Sequence, residues 1–206
     1  MKHPAHGDRM RPSLKNALLL IAACAISTGA SAHTGHGTHS LMEGLAHPFG
    51  ADHLLAMLAV GVWSVSALPA RQAWQGPATF LLALVASAML GASGVTLPYL
   101  EHAVALSVVL FGAMLIVAAK PLPKALGLGL IAAAASLHGL AHGAETPATG
   151  FAGYAAGFLL TTAALHLGGV GMGLSIRRWL TERSGTVLTT LGGSLGLAGV
   201  YLFTQV

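Results

Sequence analysis

The chain has 206 residues, of which 54% are hydrophobic and only 8% charged. A soluble domain carries about 25% charged residues, so this composition excludes an ordinary soluble fold and places the chain in a membrane. The formal charge of +4 suggests a nucleic-acid partner only until the charges are located: Lys2, Arg9, Arg11 and Lys15 all lie in the first fifteen positions.

Those four open a secretory signal. A basic region ends at Lys15, the apolar core "NALLLIAACAIS" follows, and "ASA" precedes His33 as the small-residue pattern that signal peptidase accepts. The core is shorter than the ~20 apolar residues that span a bilayer. Residues 1–32 are therefore expected to be removed; a lipoprotein-type cut before Cys24 is the rival reading. The cut after Ala32 takes away Cys24, the single cysteine, and leaves six basic and five acidic residues. That excludes thiolate ligands and leaves no basic surface for nucleic acid.

The mature chain opens with "HTGHGTHS", which holds His33, His36 and His39 among Gly, Thr and Ser. Without apolar periodicity it reads as a flexible outer tail, residues 33–44, whose histidines suit metal capture.

Residues 45–206 read as an all-α membrane domain with six spans, near 48–68, 77–97, 102–119, 124–143, 150–174 and 186–204. Each approaches the length that crosses a hydrocarbon core. The connections "PARQAWQG", "LPYLE", "KPLPK", "GAETPAT" and "SIRRWLTERS" are short and marked by Pro, Gly or charge. Arg71, Lys120, Lys124, Arg177, Arg178 and Arg183 fall only in the first, third and fifth of them. The positive-inside rule makes that side cytoplasmic and the mature N-terminus periplasmic, as a cleaved signal requires. Gly139 with Gly143, Gly153 with Gly157, Gly169 with Gly173 and Gly192 with Gly196 give small-xxx-small spacings that let helices approach closely, within one chain or between copies in a homo-oligomer.

Ionisable residues inside these spans are costly unless paired, hydrated or metal-bound. His47, Asp52 and His53 enter the first span, with Pro48 suited to a helix start. In the fourth, His138 and His142 are four apart with Glu145 three further on, so they share one face. A His pair at this spacing offers two nitrogens to one cation. His166 lies deep in the fifth span, one turn after Thr162, and would be a second station toward the cytoplasm. Glu101 and His102 open the third span from outside. Imidazole with carboxylate and no thiolate suits Ni, Co, Zn or Cu(II), and disfavours Cu(I), Mg and Ca. Two functions use such a set: a transporter that strips and passes the ion, or a membrane-embedded zinc hydrolase in which Asp52 or Glu145 activates water. HExxH is not present, and the His-rich tail favours transport.

The segments "HPFGADHLLAMLAVGVW", "LEHAVALSVVLFGAMLI", "LHGLAHGAETP" and "GFLLTTAALHLGGVGMG" resemble the HupE/UreJ family of inner-membrane nickel/cobalt permeases. The likeness runs from about Leu45 to past Gly173. It implies passage of Ni²⁺ or Co²⁺ toward hydrogenase or urease maturation and no prosthetic group. It also implies functional roles for His47, Asp52 and His53, for His138, His142 and Glu145, and for Glu101 and His166. One departure stands out. The family has two residues between the Pro and the Gly of the first span, whereas only Phe49 lies between Pro48 and Gly50, which would turn His47 by about 100° relative to Asp52. The resulting spacing, His47 and then four residues before Asp52–His53, resembles that of a second nickel/cobalt transporter family.

Overall fold

The first apolar stretch does not run straight. In the computed structural model, which describes residues 41–118, 120, 122–145 and 151–206, Leu41–Ala46 forms a short helix, α1. His47–Phe49 closes one 3-10 turn, and Ala51–Ala67 forms α2. Gly50 separates them with φ −52° and ψ 140°, an extended backbone that ends the first helical run. Pro48 supplies no N–H to carry an α-helical ladder through, and the N–H of Gly50 turns back to the His47 carbonyl at 3.1 Å. The two pieces meet at a bend of 74°. The predicted signal segment and the tail histidines His33, His36 and His39 lie outside the described residues.

Five longer helices follow: α3 (Gln75–Ala92), α4 (Leu100–Ile116), α5 (Lys124–Ala144), α6 (Phe151–Trp179) and α7 (Ser184–Phe203). No strand occurs among the described residues. Four helical segments, Ala70–Ala92, Lys124–Ala144, Phe151–Trp179 and Thr181–Phe203, are long and apolar enough to cross a membrane, and the bent pair Leu41–Phe49 with Ala51–Ala67 makes a fifth. The remaining predicted span, α4, is apolar but has 17 residues, about 25 Å of helix against a core of about 30 Å. The expected boundaries shift accordingly. The first helical stretch begins earlier, at Leu41, and the second ends at Ala92; the fifth runs on to Trp179 at 29 residues.

Glycine seams join the helices in pairs. On α5, a Cβ at Gly139 or Gly143 would run into the α3 backbone at Leu84–Ala88 or Ala88–Ala92. Gly169 and Gly173 of α6 meet Leu58 and Val62 of α2 in the same way, and Gly157 meets α1 at Leu41–Leu45. Gly112 of α4 faces Gly192 and Gly196 of α7. All four small-residue spacings thus lie at contacts within one chain. Lipid gives helices no hydrophobic reason to associate, so close backbone approach and its van der Waals contacts hold such pairs together.

Helix α2 is the hub. Eleven of its 17 residues are buried, from His53 to Val65, and it touches α3, α4, α5, α6 and α7. A helix apolar on all sides is a core helix, which explains why α2 lacks a polar face. Outward-facing Leu82, Met89, Leu160, Leu167 and Leu197 are exposed and give the bundle the apolar exterior that lipid requires. At one end, Lys124 Nζ donates to Gln72 Oε1 at 2.9 Å and Arg177 Nη1 donates to the Val65 carbonyl at 3.1 Å. The first contact links the first and third basic connections, and the second ties the fifth to the last turn of α2, at the end remote from His53.

Candidate metal centre

At the other end, the first turn of α2 meets the last turns of α5. Gly50 makes room there, since a Cβ at that position would lie 3.3 Å from Asp52 Oδ1. Asp52 turns back on its neighbour: the His53 backbone N–H donates to Asp52 Oδ1 at 2.9 Å, and His53 Nδ1–H donates to the same oxygen at 2.8 Å. A carboxylate accepts only, so it fixes His53 with its proton on Nδ1 and its lone pair on Nε2.

Nε2 of His53 points at α5. His138 Nδ1 lies 3.2 Å from it, and His142 Nε2 contacts it as well. The opposite nitrogen of His138, Nε2, is 2.9 Å from Ser107 Oγ on α4. The Ser107 hydroxyl proton is engaged by the Val104 carbonyl at 2.6 Å, so Ser107 accepts from His138 Nε2–H and leaves the lone pair of His138 on Nδ1. In these tautomers two lone pairs face one another at 3.2 Å. His142 Nδ1 stands 3.1 Å from His47 Nε2. In the tautomer that donates from Nδ1 to His47, His142 adds a third lone pair at His53. Such an arrangement repels itself unless a proton or a cation sits between the rings, and these nitrogens could serve a cation as ligands. Metal–imidazole bonds of about 2.0–2.1 Å in a tetrahedron put neighbouring nitrogens about 3.3 Å apart, close to the His53–His138 separation.

Above this trio lies a second, more open group. Ligand atoms of His47, His142 and Glu145 fall within 4.8 Å of one another; His47 is half-buried and Glu145 exposed. The two groups share His142. The 3-10 turn at His47–Phe49 brings His47 to His142, so the one-residue departure in "HPFGADH" does not cost the contact. Tyr154 and Phe158 of α6 enclose it, with ring centroids 5.7 and 5.8 Å from His47, and Phe158 lies 4.7 Å from His142.

His47, Asp52, His53, His138, His142 and Glu145 are thus brought together. His166 is not in the cluster. Its ring lies against Phe80, which in turn packs on His138, at centroid distances of 4.8 and 5.8 Å. Thr162 does partner His166, through its backbone carbonyl at 2.8 Å and not its hydroxyl. Glu101 is exposed on a shallow depression with Tyr99, His102 and Gln205, six residues outward of Ser107 on α4. His33 and His36 lie outside the described residues. Sequence reasoning passed over Ser107 and Phe80. A serine in an apolar helix ordinarily bonds its own backbone, and a phenylalanine there reads as packing, so neither carries a signal of its own.

Residues 21–202 match the family described as HupE / UreJ protein, a longer stretch than the motifs alone suggest. The chain is also 37% identical over 185 residues to Protein HupE of Rhizobium leguminosarum bv. viciae, covering 88% of this chain and 94% of that protein. No solved structure matches. With a bent entry helix, a histidine cluster between α2 and α5, and this agreement along nearly its whole length, the chain belongs to the HupE / UreJ protein family.

Proposed function

We propose that this protein is an inner-membrane carrier that moves a borderline divalent cation, Ni²⁺ or Co²⁺, from periplasm to cytoplasm for hydrogenase or urease maturation. In this reading the signal segment is removed, the helices form a six-span bundle, and the basic connections lie in the cytoplasm. The observation that carries it is the approach of His138 Nδ1 and His142 Nε2 to His53 Nε2, with Asp52 behind His53 and Ser107 behind His138. Nitrogen ligands with one carboxylate neighbour select borderline ions over Mg²⁺ and Ca²⁺. The HupE / UreJ family is itself associated with nickel and cobalt handling for hydrogenase and urease.

The outer group of His47, His142 and Glu145 would receive the ion, and His142 would pass it to His53 and His138. A shared ligand lets one bond form as another breaks, so the ion is never left bare in a medium that penalises it. Conduction needs sites strong enough to recruit an ion and weak enough to release it, which two adjoining, incomplete sites provide. Family membership favours passage over the zinc-hydrolase alternative.

The test is isotopic metal entry into proteoliposomes holding the purified protein, with Ni²⁺, Co²⁺ and Zn²⁺ in competition and His53→Ala alongside. Saturable entry of Ni²⁺ or Co²⁺, lost in the variant, supports the reading. Tight binding without entry would overturn it and revive the metallohydrolase.

A further inference from the structure

Below the histidine cluster, α6 carries two buried polar atoms left unsatisfied by the described residues. His166 is 1% exposed and Thr162 fully buried. Neither His166 Nε2 nor Thr162 Oγ1 has a hydrogen-bond partner among the described residues. The state of the ring is fixed: Nδ1 lies 2.8 Å from the Thr162 carbonyl, which can only accept, so Nδ1 bears the proton and Nε2 of the neutral ring holds a free lone pair. A buried polar atom left unpaired is costly, and each of these two, a ring nitrogen and a hydroxyl, calls for a partner.

The position of the pair bears on what that ligand is. A Cβ at Gly61 of α2 would press on the His166 carbonyl and Val170 N, so His166 lies level with Gly61. That is eight residues from His53, roughly 12 Å along α2 toward the basic end. Helical side chains lean toward their own N-terminus, which for α6 is the end bearing the histidine cluster. The imidazole therefore leans up toward Phe80, whose fully buried ring touches both His166 and His138. A cation leaving His138 inward would pass Phe80, and an aromatic face attracts cations. It would then meet a nitrogen lone pair and a hydroxyl oxygen.

We propose that His166 Nε2 and Thr162 Oγ1 form a second, inner cation station, separated from the outer histidines by Phe80. It rests on the carrier reading and adds a binding site to it. One nitrogen and one neutral oxygen supply only a small part of a divalent ion's shell. The site binds more weakly than the outer cluster and favours onward release.

The experiment follows Ni²⁺ binding by the purified full-length protein up to millimolar ion, with Ni²⁺ entry into proteoliposomes measured in parallel. His166→Ala should abolish a weak class of binding, leave the tight class within twofold, and slow entry at least tenfold. Thr162→Val keeps the carbonyl bond to His166 and the side-chain shape, and should weaken the same class about tenfold; Thr162→Ser should restore it. A weak class that survives both His166→Ala and Thr162→Val in folded protein overturns the inner station, as does its absence from the wild type. Failure of the carrier reading shows separately, as wild-type protein that binds Ni²⁺ without admitting it.

Discussion

The hydroxyl of Ser107 accepts the Nε2 proton of His138 at 2.9 Å while its own proton is held by the Val104 carbonyl. One ordinary serine thereby decides which nitrogen of a fully buried histidine faces His53. Ser107→Ala frees the tautomer without opening a large cavity. Loss of such an outer partner typically weakens metal affinity 10–100-fold, and we expect that range for Ni²⁺ binding, with thermal stability little changed. Ser107→Thr keeps the hydroxyl and should recover most of the affinity. Calorimetric titration of the three proteins decides it, and equal affinities would reduce Ser107 to packing.

Asp52 plays the corresponding part for His53. Asp52→Asn removes the negative charge behind Nδ1 and keeps the side-chain shape, so insertion into the membrane should be normal while uptake is abolished. Expression and detergent extraction check the first half, and isotopic Ni²⁺ entry the second. Near-normal flux in well-inserted protein would remove Asp52 from the site.

The α3–α5 seam places Phe80 beside His138 of α5. A Cβ at Gly139 would already collide with the Leu84 carbonyl and Ser87 Oγ, so Gly139→Val must push the two helices apart. Overpacking of this kind costs about 1–3 kcal/mol. We expect a lower thermal midpoint in detergent together with weaker metal binding, because His138 is the adjacent residue. Gly129, with open space at its Cβ, is the control: Gly129→Ala should leave metal binding unchanged and should not lower the thermal midpoint, since Ala favours a helix over Gly.

For the tail, deleting residues 33–39 removes three imidazoles that would concentrate ions at the entrance. Uptake should fall mainly at scarce metal, seen as a higher apparent half-saturation concentration with the same maximal rate. An unchanged half-saturation would make the tract a leader without a part in capture.

The sequence by itself determined the class of molecule and the cast of its site. Low charge and long apolar runs left only helices in a membrane, because a backbone in lipid must satisfy its own hydrogen bonds. Against that background each of Asp52, His53, His138, His142 and Glu145 stood out, and the i, i+4 spacing of His138 and His142 placed them on one face. The glycine spacings announced close contacts. Their partners were decided only by the tertiary structure: α3 against Gly139 and Gly143, α2 against Gly169 and Gly173. A helix apolar on every side, such as α2, has no periodicity to report which way it faces. Its rotation is set by the neighbours it packs on. The bend at Gly50 that carries His47 to His142, the Ser107 behind His138, the Phe80 between His138 and His166, and the exposure of Glu101 outside the cluster all follow from that packing. Local spacing fixes neighbours along one helix, and only the seams between helices fix which lone pairs meet.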